Sequence, residues 1–504
     1  MTRPTVGDLV AGISVALVLI PQSLAYADLA GLAPVHGLYA AAAAPIAAAA
    51  IGSSPYLQTG PVALTSLLTL GALAPFGITG TGDYARHAAL LALLVGVARV
   101  ALGLLRWGAL SYLMSMPVVT GFTVAAAVLI IGSQLPLLVD VSSDQDNPIV
   151  AAAEALTNPG GWSLAAIGIG LATVAIVVGG RRFAPFLPWI LFATLAGLAV
   201  SRLGWVNVAE VGTIPSGLPT PSLALPWGTV PQLLVPALVI AVVGFGEPAA
   251  IARKYASYDG MRWNPDREFI GQGLANLGAG LVGGYPAGGS FSRSALNRMA
   301  GAKTRWSGLV TGVAVLAFLP FANVVSDLPT AVLAGLVIVG AMSLLDLGQF
   351  REYWQHSRPQ FLVAMPTFVA TLLTAPRVER GLLIGVGLAL AVHLWRESRL
   401  DVDAWQDGTT LHILPHGVLY FGSAPEFQGK VASLHGKHPE VTTIDIDLHR
   451  LGRLDLTGIY VLRDIADHTG RAGVDVTFSR IPEHAAARVA SVLGDRLNGP
   501  PDVP

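Results

Sequence analysis

The sequence predicts a polytopic α-helical membrane protein of 14 spans, arranged as two inverted sets of seven and followed by a small soluble α/β domain. Three observations carry that prediction. The 504 residues are 53% hydrophobic and only 12% charged, with mean hydropathy +0.62, too apolar for a soluble chain of this size. Residues 1–400 hold 21 Lys/Arg against 17 Asp/Glu, whereas residues 401–504 hold 9 against 14 and seven of the 11 His, so the tail is a separate, water-exposed unit. Gly- and Pro-interrupted segments recur at a matched offset in the two halves of the apolar part.

A spanning helix needs about 20 apolar residues. Candidate spans lie near 7–29, 36–52, 60–75, 87–106, 116–139, 162–180, 185–203, 231–252, 268–286, 291–301, 307–324, 328–345, 361–375 and 380–398. The third and tenth are short. An even number places both termini on one side. If that side is the cytoplasm, fifteen Lys/Arg fall at cytoplasmic ends against four in external loops, which obeys the positive-inside rule. The external loop with Asp140, Asp144, Asp146 and Glu154 is acidic. Arg99 lies inside the fourth span and is expected to snorkel or to pair structurally. The first span resembles a secretory leader ending in Ala25-Tyr26-Ala27, but its charge is sparse and Pro21-Gln22 interrupts it, so it is expected to be retained.

Pro21 of the first span and Pro248 of the eighth are 227 residues apart, and the short third and tenth spans are separated by about the same interval. With seven spans per half, the repeats (about 7–203 and 231–398) are inverted in the membrane. The domain division expected is 1–400 for the membrane part, 401–497 for the α/β part and 498–504 for a disordered tail. In the α/β part, Trp405–Leu414, His416–Phe421, Val441–Leu448 and Gly473–Phe478 read as strands. Ala424–His435, Leu456–Ala466 and Glu483–Leu493 read as helices.

The chemistry concentrates at the two short spans. A helix start leaves backbone N–H groups unpaired and carries roughly half a positive charge. Pro61, after Gly60, suits the first helical position, leaving the N–H groups of Val62 and Ala63 free for a ligand. In Gly283–Gly301, Ser290 or Ser292 can cap the tenth span after Gly289, with Phe291 between them and the N–H groups of Arg293 and Ser294 outward. Two such starts facing each other form an anion site from which the ion can leave again. Arg293 opposes the dipole, so an anion is the functional reason for it, a salt bridge the structural one. Glu247 is the acidic residue well inside the eighth span, and a carboxyl group kept from water can carry a proton. Gln22 and Tyr26 share one helix face and can both donate to an oxyanion.

These residues resemble the sulfate permease (SulP) family of anion transporters, to which the vertebrate solute-carrier anion exchangers also belong. Pro21–Tyr39 is similar to the family signature, Gly60-Pro61 to its third-helix start, and Asn264–Ala279 with Gly289–Thr304 to its linked ninth and tenth helices. The tail resembles a STAS domain. The resemblance implies a uracil-permease-like fold with core and gate subdomains, and commonly a homodimer. It also implies an anion site between helices three and ten, with Ser290, Phe291, Ser292 and Arg293 on one side and Gln22 and Tyr26 on the other. STAS regulators open one helix with Asp-Ser-Ser-Gly and phosphorylate a Ser there. The equivalent here is Asp455-Leu456-Thr457-Gly458, so Thr457 alone could be modified, and Asp455 is expected to cap.

The expected activity is secondary transport of a small anion in a cytoplasmic (inner) membrane. Protons are favoured over sodium as the coupling ion, because a hard cation needs several oxygen ligands and only Glu247 is evident. Family substrates include sulfate, bicarbonate and C4-dicarboxylates, of which the apolar surroundings favour a dicarboxylate. An uncoupled anion channel and a membrane-anchored regulator are the competing classes. No metal-ligand cluster, nucleotide-binding Gly loop or catalytic triad is evident, so no enzyme, cofactor, metal or nucleic-acid partner is expected. The absence of Cys excludes disulfides and thiolate chemistry.

Overall fold

The computed structural model describes residues 3–76, 79–108, 115–143, 145, 147–184 and 187–494. The predicted tail 498–504, the last residues of the predicted α/β domain, and Asp144 and Asp146 lie outside them. The chain divides into two compact units, Met1–Val386 and Gly387–Pro504.

Each predicted span coincides with a helix. The first half holds α1 (Val6–Leu29), α2 (Pro34–Ile51), α3 (Ala63–Leu73), α4 (Gly82–Leu104), α5 (Met116–Val139), α7 (Leu164–Phe183) and α8 (Trp189–Arg202). The second holds α9 (Val230–Tyr258), α10 (Pro265–Leu281), α11 (Phe291–Met299), α12 (Trp306–Phe318), α13 (Thr330–Met342), α15 (Arg358–Leu373) and α16 (Val378–Glu397). Among the described residues, nine helical stretches are long and apolar enough to cross a membrane alone, α12 and α13 counting with the helical segments that follow them. Of the fourteen, α3 and α11 are the shortest.

Two helices were not foreseen. α6 (Pro148–Thr157) occupies the acidic loop, where Asn147 caps the N–H groups of Ile149 and Val150 and Pro148 takes the first helical position. α14 (Leu347–His356) is amphipathic and too short to span.

The helices form two layers. α1–α4 pack with α9–α12 as a core, while α5, α7, α8, α13 and α15 pack together as a gate. The halves are joined at the centre by two short strands, β1 (Thr59–Gly60) and β2 (Gly288–Gly289), paired antiparallel with Thr59 opposite Gly289 and Gly60 opposite Gly288. Gln58 extends the pairing: its N–H donates to Ser294 Oγ and its carbonyl accepts from Ser290 N–H. Each strand leads into a short helix, as the duplication predicts. Asp8 ties the same halves a second time. It completes a capping box with Thr5 and accepts from the Lys303 and Thr304 N–H groups, both at 2.8 Å.

The second unit carries one sheet in the order β3 (Asp401–Asp407), β4 (Thr410–Leu419), β5 (Thr443–Asp447), β7 (Asp475–Ser479), with β6 (Leu451–Leu454) also on β4. Helices α17 (Ala424–Lys437), α18 (Leu456–Arg471) and α19 (Glu483–Leu493) complete it around Leu411, Ile413, Phe427, Ile446, Leu462 and Phe478. The predicted strand 405–414 is corrected. It straddles a two-residue hairpin turn at Gly408-Thr409, where Gly408 takes the first central position with φ +56°, a conformation glycine adopts freely. The buried Asp447 accepts from Arg480 and, at 2.8 Å, from His449 Nδ1. Burial alone would raise its pKa, but these donors hold it below the usual carboxylate range. At the start of α18 the Asp455 carboxylate accepts from Gly458 N–H at 2.7 Å, and Thr457 is exposed.

Candidate anion site

Because β1 and β2 pair, α3 and α11 start side by side near the middle of the core. α3 begins at Ala63 with Val62 as an uncapped N-cap, so Pro61 sits before the helix, not at its first position as predicted. The N–H groups of Ala63, Leu64 and Thr65 carry no hydrogen bond among the described residues. At α11, Ser290 is the cap, its Oγ 3.5 Å from Arg293 N–H, and its carbonyl takes Ser294 N–H. The predicted outward N–H groups of Arg293 and Ser294 are therefore occupied. Ser292 N–H is the one without a partner among the described residues, and Phe291 N–H makes a long 3.4 Å bond to Glu247 Oε1.

A cavity of about 410 Å³ opens in front of these starts. Gln22, Tyr26, Val62, Ala63, Glu247, Ser290, Phe291 and Ser292 line it. Gly60, Pro61 and Arg293 do not; they form the wall behind. Arg293 is 1% exposed and donates from Nη1 to Gln22 Oε1 at 3.2 Å and from Nη2 to the Pro61 carbonyl at 2.8 Å. It thus joins α1, α3 and α11. Its Nε–H is a buried donor with no partner among the described residues. No carboxylate among them lies in ion-pair range of Arg293, so the bland salt-bridge reading has no partner here.

The cavity opens between Arg181 of α7 and Lys254 and Tyr255 of α9, at ends the charge bias assigns to the cytoplasm. On the opposite side α3 meets the gate. Gly71 sits so close to the Pro376 carbonyl that a methyl there would lie 2.3 Å from its oxygen. Tyr26 reaches across to Gly340 of α13, where an added Cβ would lie 2.9 Å from its hydroxyl. The gate wall, including Leu336, Val339 and Ser343, was not predicted, nor were Arg181 and Lys254 as lining residues.

For Arg99, the second of the two expected alternatives holds, structural pairing. It does not snorkel: it is 0% exposed, and its guanidinium donates to three main-chain carbonyls, those of Ile240, Ala241 and Ala287. The Gly and Pro residues at the predicted breaks signalled the site; nothing in the chain announced which groups Arg99 would bind.

Comparisons with known proteins agree with this architecture. Residues 6–367 match the sulfate permease family and residues 402–492 the STAS domain. A probable sulfate transporter of Mycobacterium tuberculosis is 30% identical over 97% of this chain and 91% of its own length. The sodium-independent sulfate anion transporter of Bos taurus is 27% identical over 92% of this chain and 82% of its own. Among solved structures, the murine Solute Carrier 26 family member A9 anion transporter in the inward-facing state superposes with TM-score 0.89 at 20% identity, covering 100% of this chain and 91% of that one. The transmembrane domain of a cyanobacterial bicarbonate transporter aligns with TM-score 0.66 at 23% identity, over 77% of this chain and 98% of that one. With its broken-helix centre, two-layer membrane unit and C-terminal STAS domain, the chain belongs to the sulfate permease family of anion transporters.

Proposed function

We propose that the chain carries a small dianion together with a proton by alternating access, and that its substrate is a C4-dicarboxylate such as fumarate or succinate. The observation that supports coupling is the Glu247 carboxylate on the Phe291 N–H at the start of α11. An ionised Glu247 occupies a donor that an anion needs and adds like charge beside it. Protonation withdraws both obstacles, so one proton and one anion bind together. Gln22, Tyr26, Ser290 and Ser292 supply polar contacts, Val62, Ala63 and Phe291 shape the cavity, and Arg293, with Gly60 and Pro61, holds the two helix starts in place. A cavity of about 410 Å³ accommodates an ion longer than a tetrahedral oxyanion. The protein works as a homodimer in a cytoplasmic (inner) membrane, with its N-terminus and STAS domain on the cytoplasmic face, and Thr457 is the exposed hydroxyl open to phosphorylation there. Sulfate is the second reading, favoured by the mycobacterial relative's description.

Uptake of labelled fumarate, succinate, sulfate and bicarbonate into proteoliposomes, with and without an inward proton gradient, tests this. The gradient should accelerate dicarboxylate uptake, and Glu247→Gln should remove that acceleration while sparing anion exchange. Unchanged acceleration in Glu247→Gln would sink the coupling role. Accumulation of sulfate alone would select the second reading, and a reversal potential set by the anion without proton flux would select a channel.

A further inference from the structure

Arg99 is among the largest fully buried side chains, and its surroundings do not neutralise it. Nε donates to the Ala241 carbonyl at 3.1 Å, Nη2 to that of Ile240 at 3.1 Å and Nη1 to that of Ala287 at 3.0 Å. All three acceptors are uncharged, and no carboxylate among the described residues lies in ion-pair range. A buried cation without a counter-ion is costly, and hydrogen bonds to carbonyls alone offset that only in part. The charge therefore needs an anion somewhere in its field.

Its acceptors lie on elements that lead into the candidate site. Ile240 and Ala241 lie on α9 two turns before Glu247, and Ala287 is the residue before β2, which leads into α11. Ala287 is gripped a second time by Asn276 of α10, whose Nδ2 donates to its carbonyl at 3.2 Å and whose Oδ1 accepts its N–H at 2.9 Å. The room for the guanidinium comes from Gly244, where a Cβ would lie 2.8 Å from Arg99 Nη2 and 3.4 Å from the Thr65 methyl of α3. Arg99 thus contacts or borders α9, β2 and α3, the elements that carry Glu247 and both helix starts.

We infer that Arg99 is a positioning residue of the transport site: its fork sets β2 against α9, and its uncompensated charge is balanced by the transported anion in the cavity beyond. The inference rests on the anion site between α3 and α11 proposed above. Because the charge acts through space, its effect scales with the charge of the ligand. A unit charge acting across about 12 Å through an effective dielectric of about 20 changes the affinity for a monoanion about tenfold and for a dianion about a hundredfold.

The test measures inhibition of labelled-anion uptake in proteoliposomes of the full chain, with sulfate and fumarate as divalent and nitrate and bicarbonate as monovalent competitors. Arg99→Gln should raise the half-inhibiting concentration about tenfold for the monovalent pair and about a hundredfold for the divalent pair, whereas Arg99→Lys should change both less than about threefold. Equal shifts for the two valences, or Arg99→Lys behaving as Arg99→Gln in protein that elutes as wild type, would overturn the charge role. Gly244→Ala keeps the charge but displaces the fork. It should slow turnover and leave the ratio of monovalent to divalent inhibition unchanged. If Arg99→Gln does not fold, wild-type turnover in Gly244→Ala overturns the inference. Wild-type protein that none of the four anions inhibits would instead refute the underlying site.

Discussion

Under the alternating access proposed above, α3 parts from the gate on the external side, and Gly71→Ala perturbs that seam directly. The new methyl would stand 2.3 Å from the Pro376 carbonyl oxygen, 3.3 Å from its carbon and 3.4 Å from Glu379 Oε2. A carbon–oxygen contact needs about 3.3 Å, so the surfaces must separate by roughly 1 Å. Overpacking of this size costs about 1–3 kcal/mol. Here the cost falls on the externally closed state alone, because the surfaces part in the other. The population ratio should therefore move about five- to 150-fold toward the externally open state. The chain has no Cys, so Ser292→Cys gives a single reporter on the cavity wall. In that background Gly71→Ala should lower thiol labelling by an impermeant reagent from the cytoplasmic face and raise it from the external face. Folded protein with unchanged labelling from both faces would refute the idea that this seam opens.

Further outcomes follow from the same geometry. Arg293→Ala removes the links to Gln22 and Pro61, and charged hydrogen bonds contribute about 1.5–3 kcal/mol each. Half-saturating anion should rise at least tenfold in uptake assays, with the elution profile of the folded protein retained. In the STAS unit, Asp447 has a folded pKa below its unfolded one, so its contribution to stability is complete above the unfolded value and is lost as pH falls through the folded one. Asp447→Asn should thus flatten the acid limb of the unfolding profile, followed by near-ultraviolet circular dichroism, and leave the loss smaller at pH 3 than at pH 7.

Much of the membrane fold was legible because hydrocarbon imposes a length and a composition that a linear chain displays openly. The paired helix starts were legible for the same reason, since Gly60-Pro61 and Gly289-Ser290 break otherwise continuous apolar runs. The gate wall was not. Leu336 and Val339 face a cavity, yet a lipid-facing Leu or Val looks identical in sequence, because acyl chains are as apolar as a protein interior. Arg181 and Lys254 were counted among the cytoplasmic charges, and nothing in a charge count shows that they also flank an opening. The partners of Arg99 were not legible because they are main-chain carbonyls about 140 and 190 residues away, which no side-chain pattern announces. Within the STAS unit the Gly408-Thr409 turn was readable from its glycine, but the continuous β-forming run around it concealed the break.

The two rungs between Thr59–Gly60 and Gly288–Gly289 make each half of the duplicated chain the backbone partner of the other. Neither half alone contains a complete binding cleft, because α3 of one and α11 of the other supply the two helix starts. The paired strands are the seam that sets those starts against each other. A residue inserted in either approach to it slips one helix start past the other. The two approaches are consequently bound to change length together, while the gate, which makes no rung, is free to vary its lining and with it the ion admitted.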